Sequence, residues 1–169
     1  MDLWRIHRAA RSAWWFSSNG SSRFDLASPE GTCYLSLSSL GAFVEVFRDF
    51  TFVDERDVAV RALSRLHAQA RTKLADCTSA RARGFGVTAA IHTTPDYATT
   101  QSWASAFRNA GFDGVRYFCG HDPSQREIAV ALFGNSGEAA WPVASTTDIS
   151  DDTIGGVERR FGIHVLPAP

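Results

Sequence analysis

Six consecutive apolar residues, Ile128, Ala129, Val130, Ala131, Leu132 and Phe133, constrain this chain more than any other stretch. They read as a central strand that is apolar on both faces, and such a strand is buried between two layers. The rest of the chain has to supply those layers. Near the start, Leu3, Arg5 and His7 alternate with Trp4, Ile6 and Arg8, the pattern of a short strand with one mostly apolar face. Residues 32–36 form another expected strand. Residues 112–117 are a turn feeding a strand, residues 72–77 a short strand, and residues 162–166 an edge strand.

Helices are expected between these strands. Ser38 or Ser39 caps one that runs through Leu40, Phe43, Val44 and Phe47, whose three-and-four spacing marks a buried face. Glu45 falls at the border of that stripe, where it can face a cleft. A second helix is expected from Asp54, with Asp57 as an imperfect capping-box partner and Val58, Ala62, Leu63 and Leu66 on one side. Residues 78–83 add a helical turn. The best-marked helix spans residues 96–110, capped by Thr99 or Thr100, with Trp103, Ala106, Phe107 and Ala110 inward and Gly111 at its end. Residues 17–22 and 119–125 are polar loops, and the tail passes through Gly137, Trp141-Pro142 and a polar stretch ending in Asp151 and Asp152. The pattern is α+β, a single compact mixed domain over residues 1–169.

Bulk properties narrow the function. The 169 residues are 44% hydrophobic and 21% charged, a globular composition. A formal net charge of −1 gives no chain-wide field with which to hold a nucleic acid by counterion release. The five tryptophans lack the basic stripe of a nucleic-acid platform and fit core and subunit contacts, leaving a homo-oligomer open. No apolar run reaches the length of a membrane span, so a cytoplasmic protein that engages no membrane is expected. Cys33, Cys77 and Cys119 form no CxxC and are expected as free thiols, and the five histidines lack metal-ligand spacing, so no metal is expected. Nucleotide-loop and hydrolase-elbow signatures are absent.

More comes from a combination of short pieces: Leu3-Trp4-Arg5-Ile6, Arg23-Phe24-Asp25, Cys33-Tyr34-Leu35-Ser36, Ala42-Phe43-Val44-Glu45, the segment from Gly111 to Cys119, and the strand ending in Ala131-Leu132-Phe133. In this order and spacing the chain resembles the RES-domain family, named for Arg, Glu and Ser, over roughly residues 3–165. The resemblance implies a sheet core like that of ADP-ribosyltransferases, with flanking helices. It also implies an enzyme that consumes NAD by hydrolysis or phosphorolysis, with inorganic phosphate as co-substrate in the second case. Many members look like toxins neutralised by an Xre-like antitoxin protein. The family arginine falls on Arg23, its glutamate on Glu45, and its serine on Cys119, where Tyr-x-Ser becomes Tyr117-Phe118-Cys119; the arginine that often follows is replaced by Gly120.

Glu45 and Arg23 are therefore the expected catalytic pair, with alternatives of an exposed helix carboxylate near Arg48 and a solvent-facing loop arginine. Arg5 is either a pyrophosphate ligand or an ion-pair partner inside the sheet. Phe24 and Tyr34 are candidate stacking surfaces with core packing as the alternative. Cys119 and His121 are expected at the substrate, and a thiol nucleophile is disfavoured because no third group orients a base. Cysteine is a weaker hydrogen-bond donor than serine. A catalytically weakened or inactive nucleotide-binding or protein-interaction domain is thus the competing reading.

Overall fold

A computed structural model describes residues 1–68 and 71–168. In chain order the elements are β1 (Asp2–Arg8), β2 (Trp15–Phe16), β3 (Glu30–Ser36), α1 (Ser39–Phe47), β4 (Phe52–Asp54), α2 (Glu55–Ala59), β5 (Arg61–His67) and β6 (Leu74–Asp76). A 3₁₀ turn (Ala80–Phe85) leads to α3 (Ala90–Thr93), α4 (Tyr97–Asn109), β7 (Gly114–Phe118), β8 (Ile128–Asn135), β9 (Gly137–Glu138), β10 (Val143–Thr147), α5 (Asp151–Phe161) and β11 (His164–Leu166). Seven strands form one mixed sheet in the order β10-β5-β1-β3-β8-β7-β6, antiparallel except for β6 beside β7. The fold is mixed α+β, a central sheet with flanking helices.

The apolar run sits where its composition requires. Ala129, Ala131 and Phe133 of β8 join one core cluster, while Val130 and Leu132 join another on the opposite face. Strand alternation extends this division across the sheet. Leu3, Cys33 and Leu35 lie on the second face, under Trp14, Phe16 and Trp141. The first face carries two separate cores: one under α1 and α5, with Ile6, Phe43, Phe47 and Val157, and one under α3 and α4, with Phe24, Ile91, Ala104, Val115 and Tyr117. The groove where these two cores part is the important feature.

Three sequence expectations are corrected. The helix expected from Asp54 stops at Ala59; Asp54 does cap it, through Arg56 N at 2.8 Å, but Ala62, Leu63 and Leu66 belong to β5. That strand pairs with β1 along its whole length, and because it lies inside the sheet its apolar residues do not alternate cleanly. On α4 the cap is Asp96, which accepts from Thr99 N and Thr99 Oγ1, and Thr100 is buried beneath the helix. The inward stripe is rotated accordingly: Thr100 and Ala104 are buried, Trp103 and Phe107 half-buried, and Ala106 and Ala110 exposed. Finally, the polar tail contains β10 and α5.

Candidate active site

The groove between the two cores is a cleft of about 320 Å³. Its floor is β1, β3 and β7, from which Trp4, Tyr34 and Tyr117 face it; α1 supplies Glu45 and Arg48 on one side, and Arg23 and Tyr97 stand on the other. His121, from the loop after β7, completes the wall. Arg23, Glu45, Tyr34 and His121, distant in sequence, thus line one cavity.

Arg23 is held from two directions, and the loop that carries it is fixed at both ends. Its Nη1 donates to the Thr94 carbonyl at 2.6 Å, and its guanidinium carbon lies 5.3 Å from the Tyr97 ring centroid. The loop behind it is clamped by Gln101, whose Nε2 donates to the carbonyls of Gly20 and Ser22, each at 2.9 Å. Tyr34 anchors the other end: its hydroxyl donates to Asp25 Oδ1 at 2.9 Å and accepts from Phe24 N at 2.8 Å. Burial raises the Asp25 carboxyl above its ordinary range even though Tyr34 and backbone amides oppose the shift. Gly120 closes the arrangement, since a Cβ there would lie 2.4 Å from the His92 carbonyl oxygen and 3.5 Å from Arg23 Nη2. Position 120 is therefore closed to any side chain unless the His92 backbone shifts.

Glu45 is half-buried on the cleft side of α1, and its negative charge reaches Tyr34, Tyr117, Cys119 and His121. Cys119 is 1% exposed, packed in the core under α1 rather than on the cleft surface, so it backs Glu45 instead of facing the cavity. Burial, reinforced by the Glu45 charge, pushes its thiol far above the ordinary range. The cysteine is thus a neutral thiol at physiological pH, and thiolate attack has no support. Burial also depresses His121, with Arg48 and Arg23 acting in the same sense against Glu45 and Asp49.

Two expected ligands are placed differently. The Arg5 guanidinium turns to the opposite face of the sheet, where Nη1 donates to the carbonyls of Ala13 at 2.6 Å and Trp15 at 3.1 Å and lies 3.0 Å from Cys33 Sγ. Arg5 therefore borders the cleft while its guanidinium secures the 13–15 segment, and among the described residues it forms no ion pair with a carboxylate. Phe24 is fully buried, edge-on to Tyr117 with ring centroids 4.9 Å apart, and packs in the core beneath α4. Tyr34 combines both roles, with its ring in the cleft wall and its hydroxyl tied to the Arg23 loop. Sequence reasoning did not find Tyr97 or Tyr117 as lining residues, and it weighed Arg48 only as a surface partner of Glu45. Arg48 instead lies 3.6 Å from Asp49, and both line the cleft. Among the described residues no group of three or more His, Cys, Asp or Glu could hold a metal ion, and no helix is long and apolar enough to cross a membrane.

The depressed imidazoles make a pH prediction. Burial is the leading cause at His7, His92 and His121, so each is neutral in the fold at pH 7. The unfolded chain takes up protons near about pH 6.5 that the fold refuses, so stability is full above that value and declines below it. Asp25, raised by burial, acts in the opposite sense. The urea midpoint is expected to be level from about pH 8 to 7 and to fall between about pH 6.5 and 5.

The sequence of the RES domain family matches residues 2–152. No curated protein matches the chain. Among solved structures, a chain in the MbcT-MbcA toxin-antitoxin complex of M. tuberculosis superposes with a TM-score of 0.64 at 16% identity, over 88% of this chain and 84% of that one. The likeness establishes a shared fold, a central mixed sheet with flanking helices.

Proposed function

The chain belongs to the RES-domain family, and on that premise we propose that it consumes NAD by breaking the nicotinamide-ribose bond, passing the ADP-ribosyl group to water or inorganic phosphate. The observation that carries this reading is the placement of Glu45 and Arg23 on opposite walls of one cleft lined by Tyr34, Tyr97 and Tyr117. As the glycosidic bond stretches, the electron pair leaves with nicotinamide, which becomes neutral, while positive charge develops on the ribose. A fixed carboxylate at that position stabilises the charge as it forms. Arg23 supplies forked donors for the pyrophosphate, and the tyrosine rings offer flat surfaces to the bases. Glu45 also orients the incoming oxygen nucleophile.

Cys119 then acts behind Glu45 rather than on substrate. Cys119→Ser is expected to preserve or raise kcat, because a hydroxyl of nearly the same volume is a stronger donor toward the adjacent carboxylate. Steady-state NAD turnover checks this, and loss of activity in a folded Cys119→Ser protein would reopen thiol chemistry.

The toxin-antitoxin setting of the structurally similar MbcT-MbcA complex supports a matching role: a cytoplasmic toxin restrained by an antitoxin protein that covers the cleft. Expression of the chain alone should drain cellular NAD and arrest growth, Glu45→Gln should do neither, and co-expression of the partner should restore both. Growth and NAD levels unchanged by the folded wild-type protein would favour a binding-only domain.

A further inference from the structure

The helix that presents Glu45 and the loop that presents His121 meet at one buried carboxylate. Glu127, 4% exposed, accepts a hydrogen bond from Ser38 Oγ, and Ser38 Oγ in turn accepts from Gly41 N at 2.9 Å as the N-cap of α1. The first turn of α1 rests directly on this carboxylate: a Cβ on Gly41 would lie 2.7 Å from Glu127 Oε2 and 2.2 Å from Ser36 Oγ. The negative charge is thereby placed at a helix N-terminus, where it is favoured. The Glu127 backbone carbonyl accepts from Cys119 N at 2.9 Å, which ties the same residue to the start of the 119–127 loop.

The loop itself is wound around Asp122, 3% exposed, whose Oδ2 accepts from the amides of Arg126 and Glu127, each at 2.8 Å, and whose Oδ1 accepts from Ser124 N and Oγ. Burial alone would raise this carboxyl, but those hydrogen bonds outweigh it and keep it below the ordinary range. Two buried carboxylates so close together need a cation, and it comes from α5: Arg160 Nη1 pairs with Glu127 Oε1, and Nη2 lies 3.7 Å from Asp122 Oδ2. Arg160 is at the C-terminal end of a helix that begins where the family match ends. It also borders a second hollow that shares Arg48, Asp49 and His121 with the cleft.

We infer that Arg160 is a positioning residue for the cleft, fixing through Glu127 and Ser38 the helix that presents Glu45, and through Asp122 the loop that presents His121. The inference rests on the catalytic reading of Glu45. Removing the guanidinium leaves two buried carboxylates unpaired, and the strain is relieved by movement of α1 and the loop.

The test uses the full chain, with Arg160→Met breaking the clamp at the cation and Ser38→Ala breaking it at the helix. Each should lower kcat for NAD roughly 10- to 100-fold, with KM moved less than about threefold, and Arg160→Lys should recover part of the loss. In a Glu45→Gln background the effect should shrink to under about twofold, because the group being positioned is gone. Amide exchange should quicken locally, over residues 38–47 and 119–127, in either variant. If Arg160→Met does not fold, Ser38→Ala gives the same readings. An unchanged kcat in an active protein, an equal loss in the Glu45→Gln background, or unchanged exchange over both segments overturns the inference. A wild-type protein that leaves NAD intact defeats the proposed function instead, and local exchange still decides whether the clamp exists.

Discussion

Glu45→Gln is expected to reduce kcat for NAD cleavage about 10²- to 10³-fold while KM for NAD changes less than about threefold. The substitution keeps the shape of the side chain and removes only its charge. Ground-state NAD already carries its positive charge on the nicotinamide ring, whereas the ribose becomes cationic only as the bond breaks. A carboxylate facing the ribose therefore acts mainly on the transition state. The half-buried position of Glu45, backed by the neutral thiol of Cys119, keeps its field from being dissipated by water. Arg23→Met should show the opposite division, with a larger rise in KM, because the pyrophosphate is charged throughout the reaction. Initial-rate kinetics on both variants separates the two roles, and a Glu45→Gln enzyme with wild-type kcat would remove the carboxylate from the mechanism.

Phe43→Ala should cost about 3–5 kcal/mol of folding stability and lower Tm by roughly 10 °C for a chain of this length. Phe43 is fully buried, its ring centroid 4.5 Å from that of Phe47, in the core formed by Ile6, Val53 and Val157. Its removal opens a cavity that α1, β1 and α5 cannot all close upon, since each is fixed elsewhere. Thermal and urea unfolding measure the loss. Because Glu45 sits two residues along the same helix, activity measured well below the new Tm should also fall, though by much less than in Glu45→Gln.

How far the sequence reached depended on the kind of order present. The two-faced apolar run became β8, and the Leu40, Phe43, Val44 and Phe47 spacing became α1, because in both the burial pattern was clean and local. β5 was misread because Val58, Ala62 and Leu66 match a helical period by coincidence, while the pairing with β1 that decides the matter is not a local property. α5 was missed because Gly155 and Gly156 interrupt its pattern. Its end signals were nevertheless present: Ser150 before Asp151 and Asp152, then Arg159 and Arg160, then Gly162. β10 has every residue exposed and so shows no alternation.

The family resemblance pointed to Arg23 and Glu45, and both line the cleft; residue chemistry alone would have left both as surface charges. Tyr97 and Tyr117 could not be identified because each reaches the cleft by packing against chain distant from it, as Tyr97 does beside Arg23. Arg5 misled for a related reason. The alternation of β1 was read correctly, but which face would carry the cleft is fixed only by the position of α1 on the sheet.

The most direct test of the central claim is product analysis with purified protein freed of any partner, incubated with NAD with and without inorganic phosphate and resolved by chromatography and mass spectrometry. Bond cleavage in the cleft predicts nicotinamide released one-for-one with NAD lost. The companion product would be ADP-ribose, or its 1''-phosphate when phosphate is present, and neither product should form with Glu45→Gln. Intact NAD after prolonged incubation with folded wild-type protein, or nicotinamide release undiminished in Glu45→Gln, would contradict it.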